Sequence, residues 1–161
     1  MEEFRKMRRF KQQVTDEECS RILTEEKRGA LAVIGDGGYP YAIPIDFYYD
    51  EEHKRIYFHG ARSGHKADAM KNCDKVCFTT WNQGFKKEGH WEWNATSVVV
   101  FGRARFVEDP EEISGYLRKL AEKYYPTQEE VEEEMNSSAM QRVLVTAIEI
   151  EHMTGKLVNE K

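Results

Sequence analysis

A mainly β fold is predicted for this chain: an antiparallel barrel with helices at its periphery. Short apolar stretches recur at the spacing of β-hairpins and are separated by glycine-rich or polar turns. Patterns typical of helices occur near the start, in the middle and near the end of the chain. With 161 residues, of which 40% are hydrophobic, the chain suits a single domain over residues 1–161. We expect residues 1–13 to form an exposed N-terminal arm.

The first half of the chain is predicted to contain one helix and then three strands. Thr15 and Glu18 have the spacing of a capping box, which opens a helix that runs to about residue 26. Pro44 is expected at a sheet edge, at a bulge or where the sheet opens, because proline donates no hydrogen bond to a neighbouring strand. The predicted strands cover residues 30–34, 39–49 and 55–59.

The second half is predicted to contain three helices and three more strands. A short helix over residues 65–72 follows a loop of small residues. Asp109 before Pro110 is typical of a helix start, and that helix should end at Pro126. An acidic helix follows it near residues 129–134. The predicted strands cover residues 75–81, 96–107 and 143–150.

Composition and charge exclude several classes of function. The net charge is −5 and the basic cluster at residues 5–11 is short, so nucleic acid is not an expected partner. Apolar runs such as residues 97–101 fall far short of the ~20 residues of a membrane span. Residues 1–13 lack the apolar core of a secretory signal. We therefore expect a cytoplasmic protein with no membrane partner.

The three cysteines predict neither a disulfide framework nor a metal site. Cys19, Cys73 and Cys77 are odd in number and form no CxxC pair, which favours a reducing compartment. The spacing of Cys73 and Cys77 resembles half of a zinc site, but no second ligand pair accompanies them. No metal is therefore expected.

A cluster of cations at the start of the short helix points to a bound anion. Arg62, His65 and Lys66 crowd the first turn, where the helix dipole disfavours each positive charge by roughly a few tenths of a kcal/mol or more. A phosphate would reverse this, because it accepts hydrogen bonds from the Ser63 hydroxyl, the free helix N–H groups and the cations. The alternative is an exposed basic turn without a ligand, which Asp68 compensates in part.

His59 ends the strand before this cluster and is the candidate for a catalytic side chain. The aromatic residues Tyr57 and Phe58 precede it, and a flat heterocycle attached to the phosphate would lie against this strand and residues 43–45. The chain shows no Ser/His/Asp or Cys/His triad, no HExxH motif and no Walker-type loop. Many binding groups and few catalytic ones indicate a protein whose cofactor supplies the reactivity.

In these segments the sequence resembles the pyridoxamine-phosphate-oxidase-like FMN-binding split barrels, and within them the nitroimidazole-resistance reductases. The resemblance extends from about Met7 to Lys156. No single motif is diagnostic of the family. The resemblance rests on the order and spacing of several motifs. The matching segments are residues 29–33, 41–47, 57–61, 64–66, 76–78, 97–104 and 150–156.

The resemblance implies a split β-barrel that forms a homodimer with two FMN molecules at its interface. The flavin ring is then expected against the backbone of residues 43–46 and the strand end at Phe58 and His59, with the phosphate at Lys66 and its neighbour His65. The implied cofactor-binding residues of one subunit are Ile43, Pro44, Ile45, Asp46, Phe58, His59, Arg62, Ser63, His65 and Lys66. The other subunit is expected to contribute Thr96 and Ser97.

One departure from the family pattern concerns the phosphate site. Many split barrels carry arginine where this chain has His65, which weakens the phosphate site unless Arg62 substitutes for that arginine. The match to the oxidase's own substrate-binding residues is poor, and oxidation of pyridoxamine phosphate is therefore not expected.

The resemblance implies an FMN-dependent oxidoreductase that takes electrons from NAD(P)H. Its substrate would be a small organic acceptor, such as a nitroaromatic or a nitroimidazole. One alternative is a non-catalytic sensor or carrier on the same fold, which holds flavin, deazaflavin or haem, with His59, His65 or His90 as haem ligands. Another is a ligand-free interaction domain that uses the acidic helix.

Overall fold

Nine strands of one antiparallel sheet and four α-helices form within residues 3–160, the part of the chain that this computed structural model describes; side chains are described for residues 3–159. The strands are β1 (Gln13–Val14), β2 (Arg28–Ile34), β3 (Pro40–Asp46), β4 (Tyr48–Asp50), β5 (Arg55–Gly60), β6 (Lys75–Trp81), β7 (Phe85–Lys86), β8 (Trp93–Phe106) and β9 (Leu144–Glu160). The helices are α1 (Asp16–Glu25), α2 (His65–Asn72), α3 (Pro110–Tyr124) and α4 (Gln128–Met135).

The strand order is β3-β2-β6-β8-β9-β5-β4, with β1 added to β9 and β7 added to β8. β8 and β9 are the longest strands, and their ladder contains a bulge between Phe101 and Gly102. This mainly antiparallel half-barrel with peripheral helices confirms the predicted fold class.

The two edge strands of this order are parts of one chain segment. β3 lies at one end and β4 at the other, and only the buried residue Phe47 separates them in the sequence. The two edges of the sheet therefore meet at Phe47, which closes the sheet into a barrel at this point. β4 pairs with β5 only as far as Tyr57, so within the described ladders Phe58–Gly60 have no strand on that side. The barrel is split there, and the prediction that Pro44 lies at an edge is confirmed.

Alternation along β5 directs its side chains into two separate cores. Phe58 faces the barrel interior together with Phe47 and Phe78. Tyr57 faces the other way and packs with Tyr116 of α3 in the second core. α3, together with Met135 of α4, thus covers the outside of the sheet next to β5 and β9, whereas α1 and α2 pack into the first core.

The helix predictions are confirmed except in one detail. α2 has the predicted bounds, and α3 begins at Pro110 and ends two residues before Pro126. Thr15 caps α1, because its hydroxyl accepts a hydrogen bond from the N–H of Glu18 at 3.2 Å. The predicted return bond of the capping box is wrong: the Glu18 carboxylate instead accepts from Nε of Arg21 at 3.0 Å.

Two strands are longer than predicted, and one residue of the predicted N-terminal arm belongs to the sheet. β8 begins three residues earlier than predicted, at Trp93, and β9 extends ten residues beyond Ile150. Gln13, the last residue of the predicted arm, belongs to β1. Met1 and Glu2 of the arm lie outside the described residues.

The described residues contain no helix that is both long enough and apolar enough to cross a membrane. All three cysteines are free thiols, and Cys19 is buried. Within the part of the chain that the structure describes, no group of three or more His, Cys, Asp or Glu side chains is arranged to hold a metal ion.

Candidate functional site

The start of α2 lacks a side-chain cap. Among the four described helices, α1, α3 and α4 are capped by Thr15, Asp109 and Thr127, whereas Gly64 precedes α2 and no side chain bonds to its first turn. Gly64 has φ +132°, a backbone conformation that glycine adopts at little cost. The free N–H groups and the positive end of the helix dipole therefore favour an anion at this position.

Lys66 lies in the first turn of α2 and is half-buried. Its Nζ lies 5.3 Å from the centre of the Phe58 ring, and a Cβ at Gly60 would approach it to 3.0 Å. No carboxylate among the described residues forms an ion pair with it, and burial lowers its pKa. Lys66 is thus a partly desolvated cation, and within the described residues the interaction that compensates it is the cation–π contact with Phe58.

The other two predicted cations do not face the helix start as Lys66 does. The His65 ring stacks on Tyr41 with 4.2 Å between ring centres, and its Nε2 accepts a hydrogen bond from the N–H of Asp36 at 3.1 Å. The same Nε2 lies 3.8 Å from a carboxylate oxygen of Asp36. Arg62 and Ser63 are exposed. Of the three predicted cations Lys66 is thus the half-buried one, and a joint role of Arg62, His65 and Lys66 in phosphate binding stays a prediction.

A cleft of about 360 Å³ lies between β3 and the start of α2. The structure therefore brings together the predicted ring strand and the predicted phosphate loop. The lining residues are Tyr41, Ile43, Pro44, Ala61, Ser63, Gly64, His65, Lys66 and Ala67. This α2 cleft is within the size range of about 300–1,000 Å³ that is typical of small-molecule sites.

The free edge of β3 presents backbone groups beside this cleft. The N–H of Gly35 donates to the carbonyl of Tyr39 at 2.8 Å, and the N–H of Phe47 donates to the carbonyl of Lys27 at 3.4 Å. Both pairs share the β2–β3 register, so odd-numbered residues of β3 point their backbone groups at β2. The even-numbered residues must point theirs outward: Ala42, Pro44 and Asp46. Pro44 accordingly sits where its missing N–H breaks no ladder bond.

His59 lies in a different cleft. Because Phe58 faces the barrel interior, His59 faces α3, where its Nδ1 is 3.1 Å from the hydroxyl of Tyr116. Burial lowers the pKa of His59, so the ring is neutral at pH 7. This His59 cleft has a volume of about 180 Å³, and Asp46 and Glu134 also line it. Neither His59 nor Asp46 lines the α2 cleft, although the charge of Lys66 contributes to the lowered pKa of His59.

The remaining predicted residues contribute backbone or lie elsewhere in one chain. Ile45 and Phe58 are 7% and 1% exposed, so their side chains belong to the barrel core, and the backbone groups of Ile45 point at β2. Thr96 is buried, and Ser97 pairs with Trp81 at the far end of β6. Neither residue lines the described clefts of its own chain, and their contribution from a second subunit stays a prediction.

Two residues that contact the histidines of these clefts were missed in the sequence. Tyr41 holds the His65 ring, and Tyr116 holds His59. Both partners are far away in sequence, 24 residues for Tyr41 and 57 for Tyr116, so no local spacing signals them. The alternation of β5, by contrast, was visible and would have separated His59 from Phe58.

Comparison with known proteins identifies relatives of this architecture. A family model described as pyridoxamine 5'-phosphate oxidase matches residues 15–157. A protein from Bacteroides thetaiotaomicron, provisionally assigned to 5-nitroimidazole antibiotic resistance, has a similar structure, with a TM-score of 0.79 and 21% identity over 92% of this chain and 87% of that one. No curated protein sequence gives a significant match.

Two further solved structures carry flavin in their descriptions. An FAD-binding protein from Mesorhizobium loti has a TM-score of 0.65 and 22% identity, over 91% of this chain and 96% of that one. A flavocytochrome from Azotobacter vinelandii has a TM-score of 0.76 and 19% identity, over 94% of this chain and 72% of that one. At these identities the likeness concerns the fold.

Proposed function

The chain belongs to the pyridoxamine 5'-phosphate oxidase family, and from that premise we propose that it is a flavoprotein that binds FMN in the α2 cleft. The observation that carries the proposal is Lys66, a half-buried cation without a carboxylate partner among the described residues. Burying a charge is unfavourable unless an opposite charge or several hydrogen bonds accompany it. A phosphate dianion at the uncapped start of α2 would supply both.

The residues of the α2 cleft suit the ring as well as the phosphate of FMN. Ile43 and Pro44 provide an apolar wall. The outward N–H and carbonyl groups of Ala42 and Asp46, and the outward carbonyl of Pro44, provide hydrogen bonds for a polar ring edge. FMN, when bound, supplies the capacity to accept and donate electrons. The protein's part is to hold the phosphate, orient the ring along β3 and exclude water from one face.

Flavin is favoured over other phosphorylated ligands by the comparisons. Structurally similar proteins from Mesorhizobium loti and Azotobacter vinelandii are described as FAD-binding and as a flavocytochrome. We assign FMN rather than FAD because the one half-buried cation of the cleft, Lys66 at the uncapped start of α2, suits a terminal phosphate. Chemical identification of the released chromophore separates the two.

The proposed reaction is the reduction of a small organic acceptor with electrons from NAD(P)H. The similar protein from Bacteroides thetaiotaomicron, with its provisional link to 5-nitroimidazole resistance, makes a nitroaromatic acceptor the first to test. His59 is neutral at pH 7 and lies beside the split edge, where it is placed to exchange a proton with an acceptor in the His59 cleft. The three free cysteines favour a cytoplasmic location for this chemistry.

A homodimer is part of the proposal and is supported by the outer face of β2, β6 and β8. Ile34, Trp81 and Phe101 project from this face and are 47%, 57% and 41% exposed. Ser97 pairs directly with Trp81 and so shares the face, whereas the buried side chain of Thr96 points away from it. A second copy would cover this apolar surface. Light scattering should then give twice the 18.9 kDa mass of one chain; a mass of one chain would contradict the dimer.

A non-catalytic carrier on the same fold is the second candidate. It is favoured by the scarcity of acid–base groups beside the ring. Among the described residues Lys66 is the only Lys, Arg, Asp or Glu that lines the α2 cleft, and His59 lines the other cleft. Stable flavin binding without oxidation of NAD(P)H in the presence of nitroaromatic acceptors would favour it. A Soret band in the purified protein would indicate haem instead.

The first experiment is a visible spectrum of the purified full-length chain, followed by identification of the released chromophore. The proposal predicts a flavin band and FMN. Lys66→Met should abolish most of the bound flavin, because the phosphate loses its cation. Lys71→Met, in the exposed last turn of the same helix, is the matched control and should stay yellow. A colourless wild-type protein that does not bind added FMN would contradict the proposal.

A further inference from the structure

A second lysine ties three segments of the chain together at the split of the barrel. Lys123 lies in the last turn of α3, and its Nζ donates hydrogen bonds to the carbonyl of Glu26 at 2.6 Å and to the carbonyl of Phe47 at 3.1 Å. The same Nζ lies 4.1 Å from the centre of the Phe47 ring. One ammonium group therefore joins α3 to the end of α1 and to the corner between β3 and β4.

The residue after Lys123 holds the same corner through a second contact. The hydroxyl of Tyr124 donates a short hydrogen bond to the carbonyl of Lys27. That carbonyl also accepts from the N–H of Phe47 at 3.4 Å. Both backbone groups of Phe47 are thus fixed, one by Lys123 and one through Lys27.

The corner at Phe47 determines where the free edge of β3 lies. Phe47 directly follows Asp46, the last residue of β3, which lines the His59 cleft and whose backbone groups point outward from the same free edge that carries Pro44 of the α2 cleft. β2 supports β3 on one side, but no strand of the described sheet supports it on the other. A shift of the corner therefore moves the edge without resistance from a neighbouring strand.

We propose that Lys123 is a positioning residue, which fixes the β3 edge against which the flavin ring lies. The inference rests on the proposed function, since the edge matters to a ligand only if the ring binds there. Lys123 lines neither the α2 cleft nor the His59 cleft, and it acts through Phe47.

The surroundings of Lys123 make this positioning dependent on pH. Burial lowers the pKa of Lys123 to about 8, with Glu26 and Asp46 acting in the opposite direction and Lys27 acting in the same direction. Tyr124, the other titratable group at the corner, has its pKa raised by burial to about 12 and stays protonated below pH 10. Between pH 7 and 9 the group that changes at this corner is thus the Lys123 ammonium. Its loss of charge weakens both hydrogen bonds to the carbonyls.

The test is the dissociation constant of FMN at pH 6.5, 7.5, 8.5 and 9.0 in four full-length proteins. These are the wild type, Lys123→Arg, Lys123→Met and the control Lys119→Met, whose side chain is exposed on the same helix. Arginine keeps its charge throughout this range. Burial lowers the pKa of Lys66 as well, but Lys66 is common to all four proteins, so the ratio of the wild-type constant to the Lys123→Arg constant isolates Lys123.

We expect this ratio to rise about five- to tenfold between pH 6.5 and 9.0. Lys123→Met should bind FMN about tenfold more weakly than the wild type at pH 6.5, and Lys119→Met should follow the wild type. Circular dichroism at each pH confirms that the variants are folded, and the wild-type and arginine profiles decide the question even if Lys123→Met unfolds.

A ratio that stays constant with pH overturns the role of Lys123 and leaves the proposed function intact. The same holds if folded Lys123→Met binds FMN as tightly as the wild type at pH 6.5. Failure of the wild type to bind FMN at any of these pH values would instead contradict the flavoprotein proposal and this inference with it.

Discussion

Lys66 and Lys123 are both half-buried, and burial lowers the pKa of both. Neither forms an ion pair with a carboxylate of the described residues, but they differ in what replaces the lost water. Lys123 donates hydrogen bonds to two backbone carbonyls, whereas Lys66 contacts only the face of Phe58. The comparison teaches that a buried cation with acceptors around it belongs to the fold, and one without them indicates a site for an anionic ligand.

Helix electrostatics sharpen the same contrast. Glu26 is the C-terminal cap of α1, so Lys123 approaches the negative end of a helix dipole. Lys66 stands at the positive end of another, in the first turn of α2. The backbone of the fold thus stabilises the charge of Lys123. The charge of Lys66 lies at the unfavourable end of a helix dipole, and a bound anion would make its position favourable.

The largest effect on stability is expected to be the difference between two variants, Lys123→Met and Lys66→Met. Lys123→Met should lower the free energy of unfolding by about 2 kcal/mol, because two buried carbonyls lose a charged donor. Lys66→Met should leave that free energy unchanged within about 0.5 kcal/mol or raise it, because no acceptor loses a partner. Urea unfolding of the flavin-free proteins measures both. Equal losses in the two variants would remove the distinction between them.

A smaller effect is expected from Gly64→Ala at the start of α2. A side chain at φ +132° is strained although the space around it is open, so the free energy of unfolding should fall by about 1–2 kcal/mol. The free N–H groups that follow would shift as well, and FMN should bind more weakly. Gly115→Ala, in the middle of α3 with nothing near its Cβ, is the control and should be neutral or stabilising. A Gly64→Ala protein as stable as the wild type would show that the helix start tolerates another geometry.

The smallest effect is the pH dependence of stability that Lys123 contributes. Its pKa is about 8 in the folded chain against an ordinary value of 10.5, so between these values the unfolded chain binds more protons. The free energy of unfolding of the wild type should therefore rise relative to Lys123→Met from pH 8 to 10.5. The expected rise is on the order of 1 kcal/mol, allowing for the part of the side chain that water reaches. Urea midpoints at pH 7.5 and 9.5 measure it, and a fall would contradict the assigned direction of the pKa.

This rise in stability does not conflict with weaker binding of the ring at high pH. The unfolding free energy includes the unfavourable desolvation of the ammonium, which deprotonation relieves. The position of the β3 edge depends only on the two hydrogen bonds from Nζ, which deprotonation weakens.

Helices with local signals could be predicted closely from the sequence, while long-range pairing could not. Asp109 before Pro110 marks the start of α3 because its cap involves only neighbouring residues. β9 extends beyond Ile150 because the rest of it pairs with β8 and with β1, where Gln13 lies opposite Lys156. These pairing partners are far apart in the sequence and meet only in the fold, so the residues that follow Ile150 carry no local signal of the pairing.

The candidate site divides in the same way. The adjacency of β3 and the start of α2 is implied by the family resemblance, and in the structure Pro44 and Lys66 line one cleft. The position of the His65 ring depends on Tyr41 and Asp36, which are remote in the sequence, so it could not be assigned in advance. The separation of His59 from Lys66 could have been predicted, because neighbouring residues of a strand face opposite sides.

The most direct test of the account compares FMN with riboflavin, which has the same ring and no phosphate, in the wild type and in Lys66→Met. If Lys66 holds the phosphate, the wild type should bind FMN at least tenfold more tightly than riboflavin. In Lys66→Met this preference should largely disappear, while riboflavin binding stays as it was. An undiminished preference for FMN in Lys66→Met would contradict the central claim, because the phosphate would then be held by other groups.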